Sequence, residues 1–282
     1  MKKQLVFVYL IFTAFLLKAQ DIQVAELSDY KRMMKSTTYI VKIPDPFSVY
    51  NNVIEKKMKE NWTITPYKII DWNEFEQKKG DKNSSFIFVS EAQRIENKKI
   101  LKYNILNFVM GSPSKDINKM PDLGSVPLSY SNDEFAEEED TYVYKLGGVL
   151  MFMQYYANYQ LKNPNSKIQD VINKEKDALH QKELWLIKDD LDNDANSLSK
   201  IQKVYKHKVK LVSREDVEKA ISQKNANVAY LHLVLPRTTS DKSRSWKFIL
   251  SAEDGKPLFY TYAKTKEGDD GKLSAKDLKK MN

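Results

Sequence analysis

Three histidines, His180, His207 and His232, are the strongest acid–base and metal-ligating candidates in the chain, which contains no cysteine. A zinc site needs several nitrogen or sulfur ligands at close spacing, and a histidine base needs a nucleophile or an orienting carboxylate beside it. These histidines lie on separate segments without that spacing, so no metal is expected and no catalytic residue is assigned. A Gly-x-Ser-x-Gly elbow, a His-Glu-x-x-His helix and a glycine-rich phosphate loop are all missing from the sequence. The acid pairs Asp189/Asp190 and Asp192/Asp194 follow an expected strand end, where open α/β sheets place ligand sites, and are read as solvated loop acids. Residues 266–277 resemble part of a calcium loop. With Gly271 at the turn, however, Lys266 and Gly268 fall where two oxygen ligands should be. No cofactor is expected.

A second set of candidates is aromatic. Tyr155, Tyr156 and Tyr159 lie on a segment with helical character, Tyr142 to Leu161, together with Phe152 and Met153. The segment is expected to pack in the core between two lobes. The alternative is a cleft lined by Tyr155, Tyr156 and Tyr159 that receives a ligand. Gly147-Gly148 inside this helix suits close packing, because the missing Cβ permits near approach at a cost in helix stability.

The elements that would position these groups form a weak repeat. Lys68–Val89 aligns over Lys210–Leu231 at an offset of 142 without a gap, with Lys68/Lys210, Glu76/Glu218, Lys82/Lys224 and Asn83/Asn225 identical. In each copy a short apolar strand ends at a capping residue, Asp71 or Ser213, with an acid three positions on, Glu74 or Asp216. That pattern starts a helix by satisfying its first backbone N–H groups. Thr38–Ile43 resembles Leu184–Lys188 after a shift of a few residues, and Ile100–Met110 and Ser245–Ser251 read as further strands. The expected fold is α/β. It has two related β-α-β-α-β-β lobes, an internal duplication, spanning 21–111 and 183–282 and joined over 112–182 by a loop and a helical pair. Pro113, Pro121, Gly124 and Pro127 mark Ser112–Asp133 as the loop.

Residues 1–20 read as a signal peptide. Lys2 and Lys3 precede an apolar run from Leu5 to Leu17, and Lys18-Ala19-Gln20 leads into polar sequence, with cleavage after Ala19 or Gln20 fitting equally. The run is shorter than the roughly 20 residues that span a bilayer, so no transmembrane span is expected after cleavage. The formal charge of +8 includes three lysines of this leader, which leaves +5 spread as mixed surface charge. Without an arginine cluster or interleaved aromatic and basic residues, nucleic acid is not an expected partner.

The leader's ending, the lysine- and tyrosine-rich body and the segment WTITPYKIID, Trp62–Asp71, resemble secreted or periplasmic proteins of unknown function from Bacteroidota-type bacteria. In its order of elements the repeated lobe is also similar to the amino-terminal domain of the Tol-Pal system protein TolB, a likeness of topology that carries no functional residues across. The resemblance implies a periplasmic or secreted protein. The expected function is a non-catalytic envelope protein that binds another protein or a cell-surface component. The alternative is an enzyme or small-molecule binder with its site between the lobes, and the sequence leans against catalysis without deciding it.

Overall fold

The computed structural model describes residues 23–96, 99–114, 116–131, 136–174, 177–235, 244–265 and 269–282. The leader lies outside the described residues. The chain is mixed α/β with two five-stranded sheets.

The first lobe comprises α1 (Leu27–Met33), β1 (Thr37–Val41), α2 (Val49–Asn61), β2 (Tyr67–Ile70), α3 (Trp72–Lys78), β3 (Ser84–Glu96), β4 (Lys99–Met110) and β5 (Val126–Tyr130). The long helix α4 (Leu146–Lys162) follows. The second lobe comprises α5 (Ile168–Lys174), β6 (Glu183–Leu186), α6 (Leu198–Val204), β7 (Val209–Leu211), α7 (Arg214–Ser222), β8 (Val228–Val234), β9 (Arg244–Ser251) and β10 (Pro257–Lys264), with α8 (Ala275–Lys279) last. The sheets run β2-β1-β3-β4-β5 and, counted in the same sense, β7-β6-β8-β9-β10. In each, the first three strands are parallel and the remaining pairings antiparallel.

The capping residues do what their spacing predicts. Asp71 accepts from Glu74 N at 2.9 Å and Ser213 Oγ from Asp216 N at 3.2 Å, each within a closed capping box. The offset of 142 holds through this region, since Tyr39 pairs with Lys68 and Trp185 with Lys210. Across the helix it grows by two, because α7 has nine residues where α3 has seven. Tyr39 therefore pairs with Phe86 and Trp185 with Tyr230. The turns confirm this register: Asn83 N bonds Asp81 and Asn227 N bonds Asn225, each at 3.0 Å. Asn83 thus corresponds to Asn227.

The segment read as a loop between the lobes contributes β5, the edge strand of the first sheet. Its prolines concealed it, yet Pro127 is tolerated at an edge, where an N–H has no ladder partner to lose. The first lobe therefore runs beyond residue 111.

Helix α4 fills the space between the lobes, as expected of a core helix. Leu146, Val149, Leu150 and Met153 are fully buried in a cluster that takes residues from both sheets. Burying each such side chain contributes about 1.5–3 kcal/mol. A Cβ on Gly148 would collide with the Tyr230 hydroxyl, and one on Gly147 would lie 2.8 Å from the Asn61 amide. The two glycines are what let α4 press against α2 on one side and β8 on the other. An ion pair of 2.5 Å between Lys57 on α2 and Glu218 on α7 also bridges the lobes.

Candidate functional site

The helical period divides the three tyrosines proposed from sequence. Tyr155 and Tyr159, one turn apart, stack at 6.5 Å, and Lys256 and Lys174 lie over their outer faces. Tyr156 turns the other way, about 100° round the helix, into a cleft of about 620 Å³ between the lobes. The candidate site therefore retains Tyr156 and does not include Tyr155 or Tyr159.

Three parts of the chain build the cleft. From the first lobe come Tyr30 on α1 and the Asp122–Ser125 turn; from α4, Phe152, Tyr156 and Gln160; from the second lobe, Trp246, Phe248 and Tyr260. The second-lobe wall follows from strand alternation. Trp246 and Phe248 are two apart on β9 and pair with Tyr262 and Tyr260 on β10, at ring separations of 5.1 and 4.8 Å. Phe152 joins them at 6.0 Å from Phe248 and 6.1 Å from Tyr156.

The first-lobe rim is held by hydrogen bonds. Asp122 Oδ1 accepts from Gly124 N at 3.0 Å, Ser125 N at 2.9 Å and Ser125 Oγ at 2.8 Å. Gly124 has φ 145, and a Cβ there would meet the Tyr156 ring at 3.1 Å, so the ring lies directly on the turn. Outside it, Asp122 N donates to Gln23 O at 2.8 Å and Ala25 N to Asp122 O at 3.2 Å, which lays residues 23–25 along the rim.

Every tyrosine hydroxyl in the cleft is pushed above its ordinary pKa. Burial is the main cause for Tyr30, with Tyr156 and Asp122 adding to it. Burial likewise raises Tyr156, opposed by a hydrogen bond with Gln160, and raises Tyr260, helped by Tyr262. These hydroxyls stay protonated at neutral pH and can donate. Tyr156 Oη donates to Ser166 O at 3.3 Å, and Gln160 Nε2 to the same oxygen at 2.6 Å. Aromatic walls with a few placed polar groups are the usual composition of a small-molecule site.

The histidines take other roles. His180 and His207 stack at 3.7 Å near the surface. His232 is fully buried on β8 and shares a 2.8 Å hydrogen bond with Pro127 O of the other lobe, which assigns its proton to Nε2. Burial, reinforced by the charge of Lys145, pushes its pKa down to about 3, so the ring is neutral. Folding also brings together acids the sequence separates: oxygens of Asp192, Asp269 and Asp270 lie within 4.8 Å of one another. Lys272 Nζ lies 3.4 Å from Asp270 and supplies local counter-charge.

Sequence reasoning missed Tyr30, Asp122, Trp246, Phe248 and Tyr260, because they converge only through tertiary packing. The one available signal was the alternation Trp246-Lys247-Phe248 against Tyr260-Thr261-Tyr262 in an expected hairpin, which puts aromatic rings on a common face. No family model, curated protein or solved structure matches this chain.

Proposed function

We propose that this is an exported envelope protein whose interlobe cleft holds an apolar, ring-bearing molecule without transforming it. The observation that carries this reading is the cleft itself, about 620 Å³ with aromatic side chains from both lobes and α4 in its walls. Offset or edge-to-face contacts with such rings add about 0.5–1.5 kcal/mol each beyond apolar burial. Binding without chemistry fits the lining, where Asp122 is engaged by its own turn and the tyrosines are held in their protonated form. The matching strand order of the sheets supports regarding the lobes as copies of one duplicated unit.

Export follows from the leader read in residues 1–20. Cleavage after Ala19 or Gln20 leaves the rim strand at Gln23–Ala25 intact, so the processed protein retains the complete cleft. A periplasmic or secreted protein carrying such a cleft would hold an envelope component or an aromatic side chain of a partner protein.

The test is fluorescence titration of the processed chain with the probe 1-anilinonaphthalene-8-sulfonate. Saturable one-site binding is expected, weakened about tenfold (about 1.4 kcal/mol) by Trp246→Ala and by Val24→Trp. Val24 lines the cleft yet is 76% exposed, so the larger side chain narrows the site without disturbing the core. Tyr155→Ala should leave binding unchanged. Non-saturable binding, or binding indifferent to both cleft variants, would defeat the reading. Sequencing the amino terminus of protein recovered from the periplasm or medium tests export, and an intact Met1 would refute it.

A further inference from the structure

A second cavity, of about 200 Å³, is lined in part by the ends of β5 and β8. Asp190 just after β6, the end of β8 at Leu233–Leu235, Arg214 at the start of α7, and Tyr144 and Lys145 ahead of α4 line it. In the second sheet β6 lies between β7 and β8, so connections leave β6 in one direction and return past it in the other. The carboxyl ends of β6 and β8 therefore flank the crevice in which open α/β sheets accept ligands.

Two of its three charged groups, Lys145 and the Oδ2 atom of Asp190, are buried and unmatched, while Arg214 is exposed. Lys145 is 2% exposed, and among the described residues its ammonium has no hydrogen bond or ion pair, only the Tyr144 ring at 4.9 Å. Arg214 stacks on that ring at 5.7 Å and reaches Asp140 O at 3.4 Å. Asp190 Oδ2 is buried without any hydrogen-bond partner. Both cations act on the Asp190 carboxyl, yet neither forms an ion pair with it, and burial outweighs them to raise its pKa. An unmet buried charge costs several kcal/mol. The arrangement is resolved by a molecule that inserts between the charges.

The first lobe offers a contrast. There the N-terminus of α2, beyond the end of β1, is filled from within: the Glu139 carboxylate accepts from Ser48 Oγ at 2.8 Å, Tyr50 N at 3.0 Å and Val49 N. The cavity of the second lobe has no such internal occupant among the described residues.

We propose that this cavity is a binding site for a free α-amino acid, its carboxylate between Lys145 and Arg214 and its ammonium on Asp190. An anion alone would answer the cations and leave Asp190 Oδ2 without a donor. A cation alone would leave Lys145 unmatched. The zwitterion satisfies both, and a volume below the roughly 300–1,000 Å³ of drug-sized pockets suits a molecule of that size.

The test is calorimetric titration of the processed chain with each standard α-amino acid, and with acetate, ethylammonium and inorganic phosphate as partial mimics. One-site binding of at least one amino acid, tighter than all three mimics and at least tenfold weaker in Arg214→Gln and Asp190→Asn, is the expected result. Arg214 is exposed, so Arg214→Gln remains informative if the buried-site variant fails to fold. Absence of saturable amino-acid binding, equal or tighter phosphate binding, or affinity unchanged in Arg214→Gln would each overturn the proposal. Val24→Trp, which obstructs only the aromatic cleft, should leave this binding intact, so the two sites succeed or fail separately.

Discussion

The two lobes share strand order and sense but turn opposite faces of their sheets toward α4. In the first, Ile40 and Ile87 face the central core while Tyr39, Phe86 and Phe88 face outward onto α3. In the second, the residues that correspond by register reverse this. Trp185 and Tyr230 point inward, and Leu184, Leu186 and Ala229 point outward onto α6 and α8. Because side chains alternate strictly along a strand, the choice of inner face is made by every residue of the lobe together. Topology and orientation are thus specified separately: caps and turns set the order of elements, and the side chains on each face decide which one the core receives.

The reversal gives each lobe a different dependence on its outer cover. The second lobe's outer face is closed by α8, which is held by an ion pair of 2.5 Å between Lys247 and Asp277, 4% and 6% exposed. Lys247→Met leaves the buried Asp277 with only the half-exposed Lys280, at 3.7 Å, as counter-charge and should cost up to about 3–5 kcal/mol in urea unfolding. Hydrogen exchange should then rise first in α6 and α8 and leave β1 to β5 protected. Uniform loss of protection would mean that the lobes do not differ in this way. Acid acts at the same point. Burial of Asp277 opposes its ionised form, but the hydrogen bond and charge of Lys247 prevail and lower its pKa. Its folded value lies below the unfolded one, so its contribution is complete above the ordinary carboxylate range and lost as pH falls through and below it.

The inner contact of the second lobe with α4 is tested by Gly148→Ala. Its Cβ would strike the Tyr230 hydroxyl and approach Ile221 to 3.4 Å. Overpacking of this kind costs up to about 3 kcal/mol. Adding Tyr230→Phe removes the oxygen and should recover part of the loss in thermal unfolding; no recovery would place the strain elsewhere.

The seam between the lobes should respond to pH through His232. Its neutral ring has a folded pKa of about 3 against an unfolded value near 6.5. Below the unfolded value the denatured chain takes up a proton that the native chain refuses, so stability falls by up to about 1.4 kcal/mol per pH unit. At pH 5 the loss is about 2 kcal/mol by the same relation. A His232→Gln variant keeps a donor for Pro127 O and should flatten the stability profile between pH 7 and 5, and an unchanged slope would remove His232 from the account.

Much of the architecture was legible because it is written locally. Asp71 with Glu74 and Ser213 with Asp216 announce two helix starts, and the apolar content of residues 146–162 announces a core helix. Strand β5 was hidden because Pro113, Pro121 and Pro127 also describe a loop, and an edge strand differs from one only through its neighbour. Extra helical residues in α7 escaped an ungapped alignment because Lys82/Lys224 and Asn83/Asn225 match by type without matching by place. Of the candidate site, Tyr156 was visible and its partners were not. Tyr30 and Asp122 reach the cleft through packing of distant elements, for which neither residue carries a local mark.

The smallest effect probes the filled end of the first lobe. Glu139 serves α2 as an external cap, with its carboxylate on two backbone N–H groups and on Ser48 Oγ. Glu139→Gln keeps the side chain's length, removes the charge that favours a helix N-terminus and should cost about 1 kcal/mol. The loss should shrink in high salt, where the dipole interaction is screened. In Glu139→Ala, added sulfate should restore thermal stability by occupying the vacated N–H groups. A variant insensitive to both salt and sulfate would show that α2 needs no anion, and the contrast between a filled first lobe and an open second one would then reflect packing alone.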